Sequence, residues 1–256
     1  MDAFDELVGV VVRLRSDQGC PWDRAQSVHT LRTSLLEEAY EAVDAIDADE
    51  PQALKRELGD VLFLLLLITN IADEDGDFTI RDVCESATAK MIQRHPHVFD
   101  PNYTPTGTEG GKSDWEQRKA EQSDRPSRLD GVPTALPSTL RAHRLTAKAS
   151  AVGFDWPDWR GVRHKVDEEL AELDEAIELG DEAHIIEEFG DLLFTLVNLG
   201  RFLPASADDA LRLATGKFER RFRIMEALLA ADGRTLAHAH VETMEAYWNA
   251  AKEVTR

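Results

Sequence analysis

The sequence is short of cysteine, of basic residues and of long apolar runs, and each shortage excludes something. Among 256 residues only Cys20 and Cys84 carry thiols, and they form no C-x-x-C pair and have no histidine at zinc spacing. They read as reduced intracellular thiols rather than a disulfide framework. The 29 lysines and arginines are outnumbered by 49 aspartates and glutamates, leaving a formal net charge of −20. So acidic a surface does not hold nucleic acid by phosphate contacts, and an anionic ligand would need a divalent cation beside it. The longest apolar run, residues 61–68, falls well short of the roughly 20 residues a membrane-spanning helix needs. The opening residues show neither the basic region nor the apolar stretch of a signal peptide, so a cytoplasmic protein without a membrane partner is expected. There is no phosphate-binding G-x-x-x-x-G-K loop and no serine or cysteine in a nucleophile motif, which argues against a covalent intermediate.

What the chain does have is a repeat. Glu37-Glu38-Ala39-Tyr40-Glu41 followed by Glu57-Leu58-Gly59-Asp60 recurs as Glu168-Glu169-Leu170-Ala171-Glu172 followed by Glu188-Phe189-Gly190-Asp191, at a constant offset of 131 positions. A Trp-x-x-x-Lys pair recurs too, as Trp115/Lys119 and Trp248/Lys252. Hydrophobic residues make up 43%, enough to bury a core in each of two domains of about 130 residues. The expected division is an N-terminal domain over residues 1–125, a Pro- and Gly-containing linker over 126–137 and a C-terminal domain over 138–256.

No segment alternates with strand period for long, whereas helical stripes are frequent. Residues 2–16, 28–48, 51–72 and 80–94 read as helices, with Gly19 to Asp23 as a turn and His95-Pro96-His97 as a stop. A short helix is expected after Ser113 or Asp114. The second half repeats the pattern over 140–151, 158–179, 182–203, 206–231 and 241–253. The fold class is therefore all-α, a tandem of helical bundles. The apolar run 61–68 reads as a helix buried nearly all round. Gly59 and Gly190, both mid-helix, suggest close approach by a neighbouring helix or a ligand.

Glu38 and Glu41 are three apart and share a helix face, as do Glu57 and Asp60. If the two helices pack antiparallel, four carboxylates converge, and a hard divalent ion such as Mg²⁺ relieves their repulsion. Glu169, Glu172, Glu188 and Asp191 form the second set, and Asp44 and Glu175 extend the same faces. A solvated acidic face is the plain alternative. It does not account for acids that open directly into an apolar helix.

At these residues the sequence resembles the MazG family of nucleoside triphosphate pyrophosphohydrolases. The family signature is E-E-x-x-E, a spacer, then E-x-x-D, on an all-α fold shared with dimeric dUTPases. Gly-Cys-Pro-Trp-Asp (19–23), Arg-His-Pro-His-Val-Phe (94–99), Val-Gly-Phe-Asp-Trp (152–156), Gly-Asp-Leu-Leu-Phe (190–194) and Lys-Phe-Glu-Arg-Arg-Phe (217–222) all resemble its two-domain bacterial members. The resemblance implies a tandem of MazG-type bundles, pairing as a homodimer. It implies Mg²⁺-dependent hydrolysis (Mn²⁺ as a substitute) of NTP or dNTP to the monophosphate and pyrophosphate. It implies metal ligands at Glu169, Glu172, Glu188 and Asp191, with Glu38, Glu41, Glu57 and Asp60 as their first-half counterparts. Nucleotide contacts are implied for Lys165, Lys217, Arg220, Arg221, Trp248 and Lys252. Glu168 either orients or deprotonates the attacking water, or stands behind the metal ligands.

The halves differ in their cations. Ser34 stands where the second half has Lys165, leaving Lys90, Arg94, Trp115 and Lys119 as the first half's candidates. His184 stands where related tandem proteins often carry a lysine. Turnover is therefore expected mainly in the second half. Two other readings stay open: a nucleotide-binding regulator with little turnover, and a pyrophosphatase specific for dUTP or phosphoribosyl-ATP.

Overall fold

The computed structural model describes residues 2–104 and 126–255. These residues form helices, turns and no strand, in two compact units, Met1–Gly110 and Gly111–Arg256. The expected short helix near residue 113 lies outside the described residues, and 126–137 contain turns but no helix.

In the first unit α1 (Ala3–Arg15) starts where the Asp2 carboxylate accepts hydrogen bonds from the amides of Phe4 and Asp5. The chain then turns so tightly at Gly19 that a Cβ there would lie 2.0 Å from the carbonyl oxygen of Leu14. Arg15 holds the following segment, which includes the short α2 (Pro21–Arg24). Its Nη1 donates to the carbonyls of Asp23 at 2.7 Å and Gln26 at 3.1 Å, while its Nε donates to Glu74 at 3.0 Å. Helix α3 (Arg32–Asp47) begins four residues later than the sequence suggests. Ser27 and Thr30 exchange side-chain and backbone hydrogen bonds, which offer residues 27–30 an alternative to helix. Helix α4 (Pro51–Glu74) follows with proline in its first turn. A Thr79–Asp82 capping box starts α5 (Ile80–Arg94), and the short α6 is Pro96–Phe99.

The second unit contains α7 (Ser138–Ser150), α8 (Trp159–Leu179), α9 (Glu182–Gly200), α10 (Ala207–Ala231), a 3₁₀ turn (Leu236–His238) and α11 (Val241–Val254). Asp158, Asp181 and Ser206 cap α8, α9 and α10.

The first core gathers Val11, Leu31, Leu64, Leu66, Leu67 and Ile71, with Leu7, Val8 and Leu35 against it. In the second unit Met225, Leu229 and Ala251 form a cluster with Phe222 and Trp248, while Val162 and Ala176 are fully buried elsewhere. Two expectations need correction. The run 61–68 is not buried all round: Leu62 and Leu65 are 37% and 45% exposed, because the helices against α4 cover only part of its circumference. In α9, Leu193, Phe194 and Leu196 are likewise exposed. Nor does a neighbouring helix among the described residues press on Gly59 or Gly190, since a Cβ added at either would meet nothing there within 4 Å beyond its own helix backbone.

The turns joining α3 to α4 and α8 to α9 occupy equivalent places in the repeat and solve one problem with different residues. Gly180 ends α8 in the left-handed region, at φ 71°. Its counterpart Asp49 takes φ 53°, where an L side chain is strained and glycine is not. Asp49→Gly is therefore expected to stabilise the first unit by roughly 0.5–1 kcal/mol, the relief being partly offset by glycine's freedom in the unfolded chain. A denaturation midpoint that falls in this variant would contradict the account of the turn.

Candidate functional site

The site is built by two short connections. Gly180 donates its N–H to Ala176 at 3.1 Å, and the Asp181 carboxylate accepts from the amides of Ala183 and His184. The chain thereby reverses within two residues, and α8 and α9 pack as a helical hairpin. Helices α3 and α4 do the same across residues 48–50. In each hairpin the i, i+3 glutamates of the first helix meet a glutamate of the second. One oxygen from each of Glu38, Glu41 and Glu57 lies within 4.8 Å of the others, and so do those of Glu169, Glu172 and Glu188. The repeat seen in sequence is thus a repeat in space.

Three of the four expected carboxylates in each half meet this closely. Asp60 and Asp191, one turn beyond Glu57 and Glu188, fall outside these groups. Asp60 is still near enough to disfavour ionisation of Glu38. Asp44, Glu175 and Glu168 are outside as well.

Electrostatics separates the halves. Lys165 places Nζ 2.7 Å from Glu168 and 3.0 Å from Glu169, of which Glu169 is 5% exposed. His184 Nε2 lies 2.9 Å from an oxygen of Glu188. Both pairs join residues three or four apart on one helix. The family resemblance assigns Lys165 to the nucleotide and leaves His184 as a departure from pattern. The i, i+4 spacings to Glu169 and Glu188 are the signal that both also serve the carboxylates. At the matching first-half positions stand Ser34 and Ala53, and among the described residues the ion pair at that core is Arg56 with Glu57 at 4.0 Å.

Burial first, and then Glu41, Asp60, Glu57 and Glu37, push the Glu38 carboxyl above its ordinary range. Burial also raises Glu172; Lys165 opposes that, and Glu188, Glu169 and Glu168 add to it. Lys165 holds Glu168 below its ordinary range, and the two glutamates raise Lys165 in turn.

A raised carboxyl stabilises the fold below its unfolded value, near 4.5, and loses that contribution as pH rises through the folded value. Metal-free protein near neutrality should therefore melt higher as Glu38→Gln or Glu172→Gln than as wild type, and the gain should shrink towards pH 4.5. Melting curves in EDTA across that range check this. A lower melting temperature in both variants near neutrality would refute the repulsion.

The other expected nucleotide contacts lie on α10 and α11. Lys217, Arg220 and Arg221 share a face of α10 at i, i+3 and i+4. Lys217 and Arg220 are exposed and paired with no acid among the described residues. The Arg221 Nε donates to Thr255 Oγ1 at 2.8 Å, tying α10 to the end of α11. Trp248 is half-buried, its ring centroid 5.3 Å from that of Phe218, and Lys252 donates to Asn249 at 3.1 Å. Only Lys165 of this basic set forms an ion pair with the carboxylate core among the described residues. Lys90 and Arg94 lie on α5, while Trp115 and Lys119 fall outside the described residues.

A core of three carboxylates offers only hard oxygen donors, which suit Mg²⁺ or Mn²⁺ rather than a thiophilic metal. Among the described residues no helix is long and apolar enough to cross a membrane.

The family model of the MazG nucleotide pyrophosphohydrolase domain matches the chain twice, over residues 26–99 and 161–223. Those spans contain both carboxylate cores, and the second ends just past Arg221. The chain is 44% identical over 253 residues to the nucleoside triphosphate pyrophosphohydrolase/pyrophosphatase MazG of Thermotoga maritima, covering 97% of this chain and 95% of that one. It is 40% identical over 258 residues to the nucleoside triphosphate pyrophosphohydrolase of Escherichia coli K12, covering 98% of each. A protein of the same name from Mycobacterium tuberculosis is 32% identical over 151 residues, 58% of this chain and 45% of that one. Two family matches on two equivalent carboxylate hairpins, with full-length relatives, make this chain a member of the MazG nucleotide pyrophosphohydrolase family.

Proposed function

We propose that this protein hydrolyses nucleoside triphosphates to monophosphate and pyrophosphate, with Mg²⁺ or Mn²⁺, and that the second half carries most of the turnover. The observation behind this reading is the Glu169–Glu172–Glu188 core with Lys165 at its edge, in a chain of this family. Glu169, Glu172 and Glu188 would hold the metal, with Asp191 one turn further along α9. The first-half counterparts are Glu38, Glu41, Glu57 and Asp60. Bound there, Mg²⁺ would polarise the phosphate and acidify a water at neutral pH.

The chain's own side chains supply the rest. Lys165, Lys217, Arg220, Arg221 and Lys252 neutralise the triphosphate, preorganised positive charge being what phosphoryl transfer needs most. Trp248 gives a base one aromatic face. Glu168, exposed beside the core, orients the attacking water or takes its proton, and its pairing with Lys165 keeps it ionised to do so. The absence of Lys165 and His184 counterparts favours a weaker or mainly regulatory first half. The exposed apolar residues of α4 and α9 support a homodimer that covers them.

Pyrophosphate release measured over a panel of NTPs and dNTPs tests this reading. Release from several of them is expected. Release from dUTP alone would favour the specific pyrophosphatase, and binding without release would favour the regulator.

A further inference from the structure

The two carboxylate cores are alike in geometry and unlike in what engages their oxygens at rest. In the second half Lys165 Nζ lies 3.0 Å from Glu169, and His184 Nε2 lies 2.9 Å from Glu188. Two of the three residues that would hold a metal thus already have a nitrogen of the chain's own side chains against them, the Lys165 ammonium and the His184 imidazole. In the first half Ser34 and Ala53 stand in their places; Glu38 and Glu41 are paired with no basic side chain among the described residues, and Glu57 has Arg56 only at 4.0 Å. A cation arriving at the first core meets three acidic residues. One arriving at the second must displace Lys165 and His184 or share their partners.

Lys165 also has somewhere to go. It is an exposed-edge side chain, 35% accessible, whose flexible stem ends in a point charge. A triphosphate offers it stronger acceptors than one buried carboxylate. Moving Lys165 to phosphate would free Glu169 at the moment the metal's second set of ligands, the phosphate oxygens, arrives.

We infer that Lys165, with His184, is a resident counter-ion that couples metal binding in the second half to nucleotide binding, whereas the first half takes a divalent ion unaided. This rests on the metal-dependent reading proposed above and adds an order to it: metal alone fills the first core, and metal with nucleotide fills the second. Because coupling is reciprocal, nucleotide and metal tighten one another's binding at the second core by the same factor. Glu169 then keeps Lys165 as its counter-ion in metal-free protein without being ligated, which lets a buried acid survive in the resting fold.

The test titrates the full chain with Mn²⁺, without nucleotide, following free ion by electron paramagnetic resonance. Glu41→Gln isolates the second core and Glu172→Gln the first. The first core is expected to bind more tightly. In the Glu41→Gln background, Lys165→Met should strengthen Mn²⁺ binding about tenfold, a change of about 1.4 kcal/mol. Lys165→Arg should restore the weaker binding, and His184→Ala should move affinity in the same direction as Lys165→Met. Conversely, Ser34→Lys in the Glu172→Gln background should weaken the first core. Adding a non-hydrolysable triphosphate should tighten Mn²⁺ at the second core in wild-type Lys165 and much less in Lys165→Met. Circular dichroism confirms that each variant is folded. Equal affinity of the two cores, or no gain from Lys165→Met and no loss from Ser34→Lys, would overturn the inference while leaving the enzyme reading standing. If neither core binds Mn²⁺ and pyrophosphate release proceeds in EDTA, the metal reading itself fails.

Discussion

Replacing Glu172 or Glu188 by alanine should lower pyrophosphate release at least about 10²-fold, a loss near 2.7 kcal/mol in the barrier. Each removes one of the three carboxylates whose oxygens meet at the α8–α9 hairpin. Neither is replaceable by a neighbour, because Glu175 and Glu168 fall outside the group. Asp191→Ala should also be impaired to that degree if Asp191 completes the ligand set from one turn along α9. A milder loss would confine the essential set to the three convergent glutamates. Glu41→Ala and Asp60→Ala should leave most activity in place, because the first hairpin lacks the cation that Lys165 provides. First-half variants that are inactive beside active second-half variants would reverse the assignment of the working half and leave the family untouched.

Leu67→Ala should cost the first unit about 3 kcal/mol, within the usual range for a leucine emptied from a packed core. Leu67 is fully buried and packs in the cluster of Val11, Leu31, Leu64, Leu66 and Ile71 on the face of α4 turned to its own unit. Leu65, two residues away on the same helix, is 45% exposed, and its alanine variant should cost under about 1 kcal/mol in dilute protein. Denaturant titration of the two variants, followed by circular dichroism, separates the faces. Equal losses would mean that the exposed side of α4 is covered in solution, as a homodimer requires. A loss below about 1 kcal/mol for Leu67→Ala would contradict the core as described.

The repeat is the most legible feature of the sequence, because an i, i+3 pair on each of two consecutive helices fixes both face and register. Knowing that residues 37–41 and 57–60 lie on neighbouring helices joined by a short turn is enough to bring Glu38, Glu41 and Glu57 together. The helix ends are legible where a side chain caps them, as at Asp181 and Thr79, and misleading at residues 28–31, where Ser27 and Thr30 bond one another instead. The burial of α4 is less than its sequence suggests, because a run of apolar residues does not reveal how many helices surround it. The glycines of the signature do not say which neighbour they serve for a related reason, since an open helix face and a close approach leave the same mark in a sequence. Spacing alone places Asp60 and Asp191 with the core. That spacing puts them on the helix faces of Glu57 and Glu188, while the close groups themselves are formed by the glutamates. The charge partners are readable from i, i+4 spacing, but only the structure shows Lys165 spanning both Glu168 and Glu169.

Product analysis with the whole chain tests the central claim most directly: one triphosphate, labelled at the α-phosphate, is incubated with Mg²⁺ or with excess EDTA. Carboxylate-held metal acting on the α–β bond predicts monophosphate and pyrophosphate in equal amounts with Mg²⁺, and neither with EDTA. Diphosphate and orthophosphate as products, or undiminished turnover in EDTA, would contradict it.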